Sequence, residues 1–550
     1  MPTDKDELIE FLKQTNSEQK ETIDDLRSTI KELNATIANL NESLDELKRR
    51  FYGTSSEKTA SETVSSGEEK TSEVAAHTRT RKKKSVRADL YESLPVREIP
   101  CDVPEPERFC PDCDAPMEHL GYKFVREELR ITPAKVERVR YMQETLICPA
   151  CREEDDTTII SAKTPTPLLA HSPASPDMVA TVMYQKVFLD IPFYRQTKDW
   201  KQKCFHLPRE TAGNWFNTCA LEYLFPVYEA LHKELLKRTV IHADEVPCQV
   251  LREEGRDAAS KSYMWIYLSG TDGKPKIVLY DYRAGRGSSH PVEFLKGFSG
   301  MLHCDGYQAY GKIEDAVLLC CLAHCRRKFF EAVPKERRKK LKLLDIHSDQ
   351  KMEEPAGNTA QDTTLLPAEK GVVFCNRLFF LERGYKDLPA EERKRKRQEK
   401  EPQIWEEFWN WLDTVHPTGG SKLEKAVNYA QNHRETLMNY LLDGRCEISN
   451  NAAERMAKSY VIARKNFLFH GTEEGASASA VVFSIVETAK ANDLNVFQYL
   501  YTLLLYMPDY KNESAGIEQL MPWSDFIKEH CSGTADTETI TPENRGNLPI

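Results

Sequence analysis

No apolar run in the 550-residue chain approaches the roughly 20 residues needed to cross a bilayer. The opening residues, MPTDKDELIEF, are acidic and lack the apolar core of an export signal. The expectation is a cytoplasmic protein with no membrane partner. A disulfide framework is also missing. The 15 cysteines are odd in number and scattered, which fits a reducing compartment. There is no overall excess of positive charge either. Net charge is −10 with 29% charged residues and a mean hydropathy of −0.58, which taken alone argues against nucleic acid as a partner. Charge is unevenly placed, however. Residues 79–87 (RTRKKKSVR), 335–342 (KERRKKLK) and 393–397 (RKRKR) are dense basic runs. Local patches, not the total, set the field that a DNA strand meets. Each run by itself reads as solvated surface or linker.

The length implies three or more domains. Residues 1–52 read as a coiled-coil oligomerisation helix. Ile23, Leu26, Ile30, Leu33, Ile37, Leu40, Leu44, Leu47 and Phe51 alternate steps of three and four. Ile at most a positions with Leu at d favours a parallel two-stranded coil, hence a homodimer or higher oligomer. Residues 53–98, rich in Ser, Thr, Glu and Lys, read as a flexible linker with a basic arm. Residues 99–162 hold Cys110-Pro-Asp-Cys113 and Cys148-Pro-Ala-Cys151. Paired C-x-x-C spacing lets four thiolates close a tetrahedral structural Zn²⁺ site, and strand-like segments such as VERVRYMQETLI between the pairs complete a zinc ribbon. Residues 163–238 are helical. Within them a short turn leads to a helix opening at Pro208, with Arg209, Asn214 and Asn217 clustered on it. This pair of helices reads either as a DNA-binding helix-turn-helix or as an ordinary hairpin with Trp215 and Phe216 in its core.

From Val240 the pattern changes to strands: VIHADEVPCQVL, YMWIYLSG and KIVLYDYR, with a turn at Asp272-Gly273. A short helix near 290–298, the strand MLHCD and the run AVLLCCLAH follow. That order is the order of a ribonuclease-H-like fold, over residues 239–475 with a helical insertion at about 333–440. In such a fold Asp244, mid-strand, and Asp305, at a strand end, lie side by side. Glu245 points to the opposite face, and Asp281 and Asp315 fall in loops. The helix from Asn451 supplies the third carboxylate, Glu454, with Glu447 as its rival. Asn450 and Asn451 are good N-cap residues, and Lys458 shares a helix face with Glu454. Arg455, Lys458, Arg464 and Lys465 supply cations beside the carboxylates. Hard oxygen ligands for Mg²⁺ or Mn²⁺ next to cations for a polyanion suit phosphoryl transfer. Ile404, Phe408, Trp411, Leu412 and Val415 form a core stripe of the insertion. Cys320, Cys321, His324 and Cys325 read as core, not as a second zinc site. Residues 476–550 give two apolar helices and a disordered tail from Ser532.

These motifs resemble the insertion-sequence-66 family of bacterial transposases over nearly the whole chain. The resemblance lies in RRFYGTSSEK (49–58), the C-P-x-C ribbon, IPFYRQ (191–196), HADEVPCQVL (242–251), CDGYQAY (304–310), CLAHCRRKFF (321–330), NNAAERMAKSYVIARKNFLFHG (450–471), ETAKANDLNVFQYL (487–500) and LMPW (520–523). The pattern departs at Ser449, where the family commonly has Asp, and at Ala463, where Gly is common. The resemblance implies an α+β multidomain transposase with a DDE core at Asp244, Asp305 and Glu454. Such a protein binds the ends of its element as double-stranded DNA, cleaves them and joins them to a target, with companion proteins of the same element. It would be associated with the bacterial nucleoid when DNA-bound. Two other readings use the same features: a catalytically inactive DNA-binding regulator, and a nuclease of the same fold without strand transfer.

Overall fold

The structure, a computed structural model, describes residues 115–116, 136, 138–147, 159–203, 205–338, 365–532, 542 and 546–549. The heptad, the basic arm at 79–87, all four ribbon cysteines (Cys110, Cys113, Cys148 and Cys151) and residues 339–342 of the second basic run lie outside these. Of the ribbon region, β1 (Thr145–Ile147) pairs antiparallel with β2 (Ile159–Ser161). No helix among the described residues is long and apolar enough to cross a membrane.

Helices α1 (Pro176–Met183), α2 (Phe193–Gln202), α3 (Arg209–Cys219) and α4 (Phe225–Leu236) come next. Ser175 caps α1, its Oγ accepting from the Met178 N–H at 3.4 Å, and Pro176 occupies the first turn, where its missing N–H is harmless. Trp215 and Phe216 of α3 are buried, together with Val179, Val182 and Met183 of α1. These helices share one apolar core with the central sheet and the C-terminal helices.

That sheet contains β3 (Val240–Cys248), β5 (Ser262–Ser269), β6 (Val278–Arg283), β7 (Met301–Cys304) and β8 (Val317–Cys320), and β4 (Val250–Arg252) branches away from it. The spatial order is β6-β5-β3-β7-β8, with β5 antiparallel to β3 and β6, and β7 parallel to β3 and β8. The β5–β6 turn needs Gly273, whose φ of +76° strains any residue with a Cβ, and a buried Arg238–Asp272 ion pair of 2.9 Å braces it. Asp281 lies within strand β6, not in a loop, because the apolar run of β6 continues through Tyr282; it pairs with Arg283 at 2.7 Å. Helix α5 (Ser289–Phe294) connects β6 to β7.

After β8 the chain forms a second apolar core from α6 (Leu322–Ala332), α8 (Pro367–Gly384), α9 (Ala390–Leu412), α10 (Lys422–Asn432) and α11 (Arg434–Met438), while the short, charged α7 (Lys335–Arg338) has no buried residue. Ile404, Phe408 and Leu412 are buried there, with Trp411 and Val415 packed against them. The third basic run is not a solvated patch. Arg397 is 0% exposed, paired with Glu382 at 2.6 Å and donating to the carbonyls of Tyr440, Asp443 and Cys446. Arg393 donates to the carbonyls of Tyr385, Lys386, Leu388 and Gly444. Burial of a guanidinium is tolerated only when its donors are matched in this way.

The chain then returns to the sheet with α12 (Asn451–Phe467), and β9 (His470–Thr472) pairs in parallel with β4. Helix α13 (Glu473–Ala491) covers the β6 edge: Thr488 Oγ1 and Ser484 Oγ accept from the N–H groups of Val278 (3.0 Å) and Tyr280 (2.8 Å). Bonding these groups to a helix closes the β6 edge to pairing with another chain. Helices α14 (Val496–Tyr510), α15 (Ser514–Gln519) and α16 (Asp525–Cys531) finish the domain. Most of the tail, where disorder is expected, lies outside the described residues; of the described part, Leu548 is buried in the main core, and its N–H donates to the Tyr510 hydroxyl.

Candidate active site

Strand alternation puts His242 and Asp244 of β3 on one face and Glu245 on the other. Glu245 is fully engaged there by Arg286 (2.8 Å from Nε) and by the Tyr310 hydroxyl (2.6 Å). β3 and β7 are parallel, with His242 opposite His303. Two residues further on, Asp305 emerges beside Asp244 from strands about 4.8 Å apart. Gly306, at φ +92°, turns the chain immediately after Asp305 in a conformation open to glycine. The Asp305 carboxylate accepts from the Tyr307 N–H at 2.8 Å, and its carbonyl accepts from the Tyr429 hydroxyl at 2.9 Å.

Glu454 sits in the first turn of α12, which packs over β3. Its carboxylate meets two side chains of α6, Arg327 at 3.3 Å and His324 at 3.6 Å. Lys458, one turn on, is exposed, so Glu454 takes its cation from α6 and not from its own helix. The three carboxylates share one electrostatic environment. Burial pushes the Asp244 carboxyl up to about 7, with Glu245, Asp305 and Glu454 adding to the rise and the Glu245 N–H opposing it. A site where burial and neighbouring anions disfavour charge is one that a hard cation would relieve. The donor set therefore fits Mg²⁺ or Mn²⁺. Ligand atoms of Cys321, His324 and Glu454 also lie within 4.8 Å of one another. Burial pushes the Cys321 thiol up to about 12, however, so at neutral pH it is a protonated and poor ligand.

Glu447 is placed differently from Glu454. It accepts from Thr271 Oγ1 at 3.3 Å and lines a cavity of about 210 Å³ with His242, Lys276 and Arg455. Arg455, Lys458 and Lys465 are exposed along α12, while Arg464 is half-buried and donates to the Pro247 carbonyl. On α3, Arg209 and Asn214 are exposed, and Asn217 is half-buried against Gly475 at the start of α13.

Asn450 occupies the cap position of α12, but its side chain makes no capping hydrogen bond, contrary to the expectation from its type. Both amide groups reach β3 instead. His242, His324 and Arg327 also stand at the site without having been singled out for it. The first was readable from strand period, two residues before Asp244. The others sit at i and i+3 on a helix whose facing toward Glu454 depends on the long insertion.

A mixed sheet gathers two carboxylates at adjacent strand positions, and a helix bearing a third closes over them, a donor set of the kind that suits a hard cation. Family comparison then identifies the protein: the chain belongs to the transposase IS66 family, whose model matches residues 171–478. Three further models match: the zinc-finger binding domain of transposase IS66 at 107–152, the IS66 C-terminal element at 484–523, and the region described as transposase C of IS166 homeodomain at 39–99. The chain is similar to two uncharacterized proteins of Sinorhizobium fredii (strain NBRC 101917 / NGR234). It is 26% identical to y4hP over 513 residues, 87% of each chain. It is 26% identical to y4jD over 438 residues, 76% of this chain and 79% of that one.

Proposed function

We propose that this transposase-family chain is catalytic, and that it cleaves and transfers DNA strands at the ends of a mobile element through Asp244, Asp305 and Glu454. The observation that carries this reading is the parallel register of β3 and β7, which sets two aspartates side by side beneath the helix bearing Glu454. The strand order, with three antiparallel strands followed by two parallel ones, supports a ribonuclease-H-like core. Asp244, Asp305 and Glu454 would hold Mg²⁺ or Mn²⁺, which when bound supplies an activated water and neutralises charge on the phosphate in flight. The chain's own residues do the rest. Arg327 and His324 hold the Glu454 carboxylate in place. The Tyr307 N–H fixes the Asp305 carboxylate, and the Tyr429 hydroxyl fixes its backbone carbonyl. Arg455, Lys458, Arg464 and Lys465 present cations to DNA phosphates, and Arg209, Asn214 and Asn217 read element ends.

Cys110, Cys113, Cys148 and Cys151 would close a structural zinc site in the zinc-finger domain, and the N-terminal heptad would pair two chains, as joining two DNA ends requires. The test is incubation of purified protein with a duplex carrying the element end and Mg²⁺ or Mn²⁺. Cleavage at the end and not in scrambled sequence is expected. Binding of the end with no cleavage in either metal would point instead to a regulator.

A further inference from the structure

Asn450 is 0% exposed, and its polar groups bond to β3, to the residue before α6 and to the backbone of Glu454. Its Oδ1 lies 3.0 Å from His242 Nδ1, and its Nδ2 donates to the Ala243 carbonyl at 2.8 Å. Its backbone N–H donates to Cys321 Sγ at 3.1 Å, at the start of α6. Its carbonyl accepts from the N–H of Glu454 at 3.2 Å. The Ala243 carbonyl can only accept, so the amide NH₂ must face it, and Oδ1 then faces His242. That assigns the His242 proton to Nδ1.

The neighbouring segment is tied down in the same way. His303 Nε2 lies 2.9 Å from the Glu447 carbonyl, and the Leu322 N–H donates to the Ile448 carbonyl at 3.1 Å. His242 and His303 stack with ring centroids 5.0 Å apart, and each stands two residues before one of the paired aspartates. Residues 447–450 thus bond to β3, β7 and α6 immediately before the helix of Glu454. An ordinary cap needs only an acceptor directed at its own helix. This position needs a donor and an acceptor directed away from it, which serine, threonine and aspartate cannot present in the same geometry.

We propose that Asn450 is a positioning residue that sets the placement of Glu454 relative to Asp244, and with it the geometry of divalent-metal binding. This rests on the reading of Asp244, Asp305 and Glu454 as the metal-holding carboxylates. Groups that orient ligands in this way typically change metal affinity or activity about 10–100-fold when removed.

The experiment uses the full chain and two readouts. Mn²⁺ binding without DNA is followed by electron paramagnetic resonance, and end cleavage is measured at saturating DNA. Asn450→Ala is expected to weaken Mn²⁺ binding and lower kcat by about 10–100-fold, leaving the Kd for DNA within about twofold. Excess Mn²⁺ should restore part of the cleavage in Asn450→Ala but none in Asp244→Asn. Asn451→Ala, at the adjacent position, should match wild type in both readouts. If Asn450→Ala does not fold, Asn450→Asp takes its place: it retains the acceptor toward His242 and sets an oxygen against the Ala243 carbonyl. Wild-type Mn²⁺ affinity and cleavage in the Asn450 variant, beside an inert Asp244→Asn, would overturn the positioning role alone. Wild-type behaviour of Asp244→Asn would instead remove the carboxylate reading on which it rests.

Discussion

Replacing Asp244 by Asn should stabilise the metal-free protein at alkaline pH. The cause is the burial of this strand position, to which the neighbouring carboxylates add. Burial, then Glu245, Asp305 and Glu454, raise the Asp244 carboxyl from 3.8 to about 7. A group whose folded pKa is raised contributes stability that is present below its unfolded pKa and is lost as pH rises through the folded one. For Asp244 that loss runs from about pH 4 to above pH 7. About three units at 1.36 kcal/mol each give a ceiling of about 4 kcal/mol, and relaxation of the site lowers the expected effect to about 2–4 kcal/mol. Urea unfolding in EDTA, at pH values from 5 to 8.5, reads it directly. Across this range wild type should lose stability relative to Asp244→Asn, which cannot ionise, and the variant should be the more stable protein at pH 8. Added Mg²⁺ or Mn²⁺ should stabilise wild type more than the variant, because only the folded wild type presents the full ligand set. Parallel pH profiles, or an Asp244→Asn that is less stable than wild type at pH 8, would show that the carboxylates do not crowd one another as described.

The acid limb should have a different origin. Burial lowers the His470 imidazole to about 3, with Lys186 adding to the effect, so the folded state excludes a proton that the unfolded chain takes up below about pH 6.5. Stability should fall as pH drops from that point, and His470→Gln should flatten the fall; an unchanged acid profile would assign it to other groups. Zinc should be present at about one ion per chain, as a single Cys₄ site requires, and Cys148→Ser should release it. Metal analysis of freshly purified protein that finds no zinc would refute the four-cysteine assignment.

Much of the fold was readable because its strands keep simple patterns. The apolar runs at 240–251, 263–270 and 276–283 coincide with β3, β5 and β6, and Asp272-Gly273 marks the turn between the last two. The placement of Asp244 within a strand and of Asp305 at a strand end followed from the strand pattern, and that of Glu454 from a helix boundary. What was not readable depends on partners distant in sequence. Asn450 has the residue type of a cap, yet β3 lies close enough to claim both ends of its amide. Arg397 sits in a run that composition assigns to solvent, and only the carbonyls at 440–446 explain its burial. Asp281, expected in a loop, stands inside the run of β6, where Arg283 pairs with it. Local propensity loses to tertiary contacts at each of these places.

The central claim is that Glu454, and not Glu447, completes the catalytic carboxylates. Cleavage of an end-containing duplex by Glu454→Gln and Glu447→Gln, run beside a binding assay on the same proteins, tests it most directly. The structure pairs Glu454 with Arg327 and His324 at the site and turns Glu447 toward Thr271. Glu454→Gln should bind ends with wild-type affinity and fail to cleave them, while Glu447→Gln should do both. An active Glu454→Gln beside a dead Glu447→Gln would contradict the account.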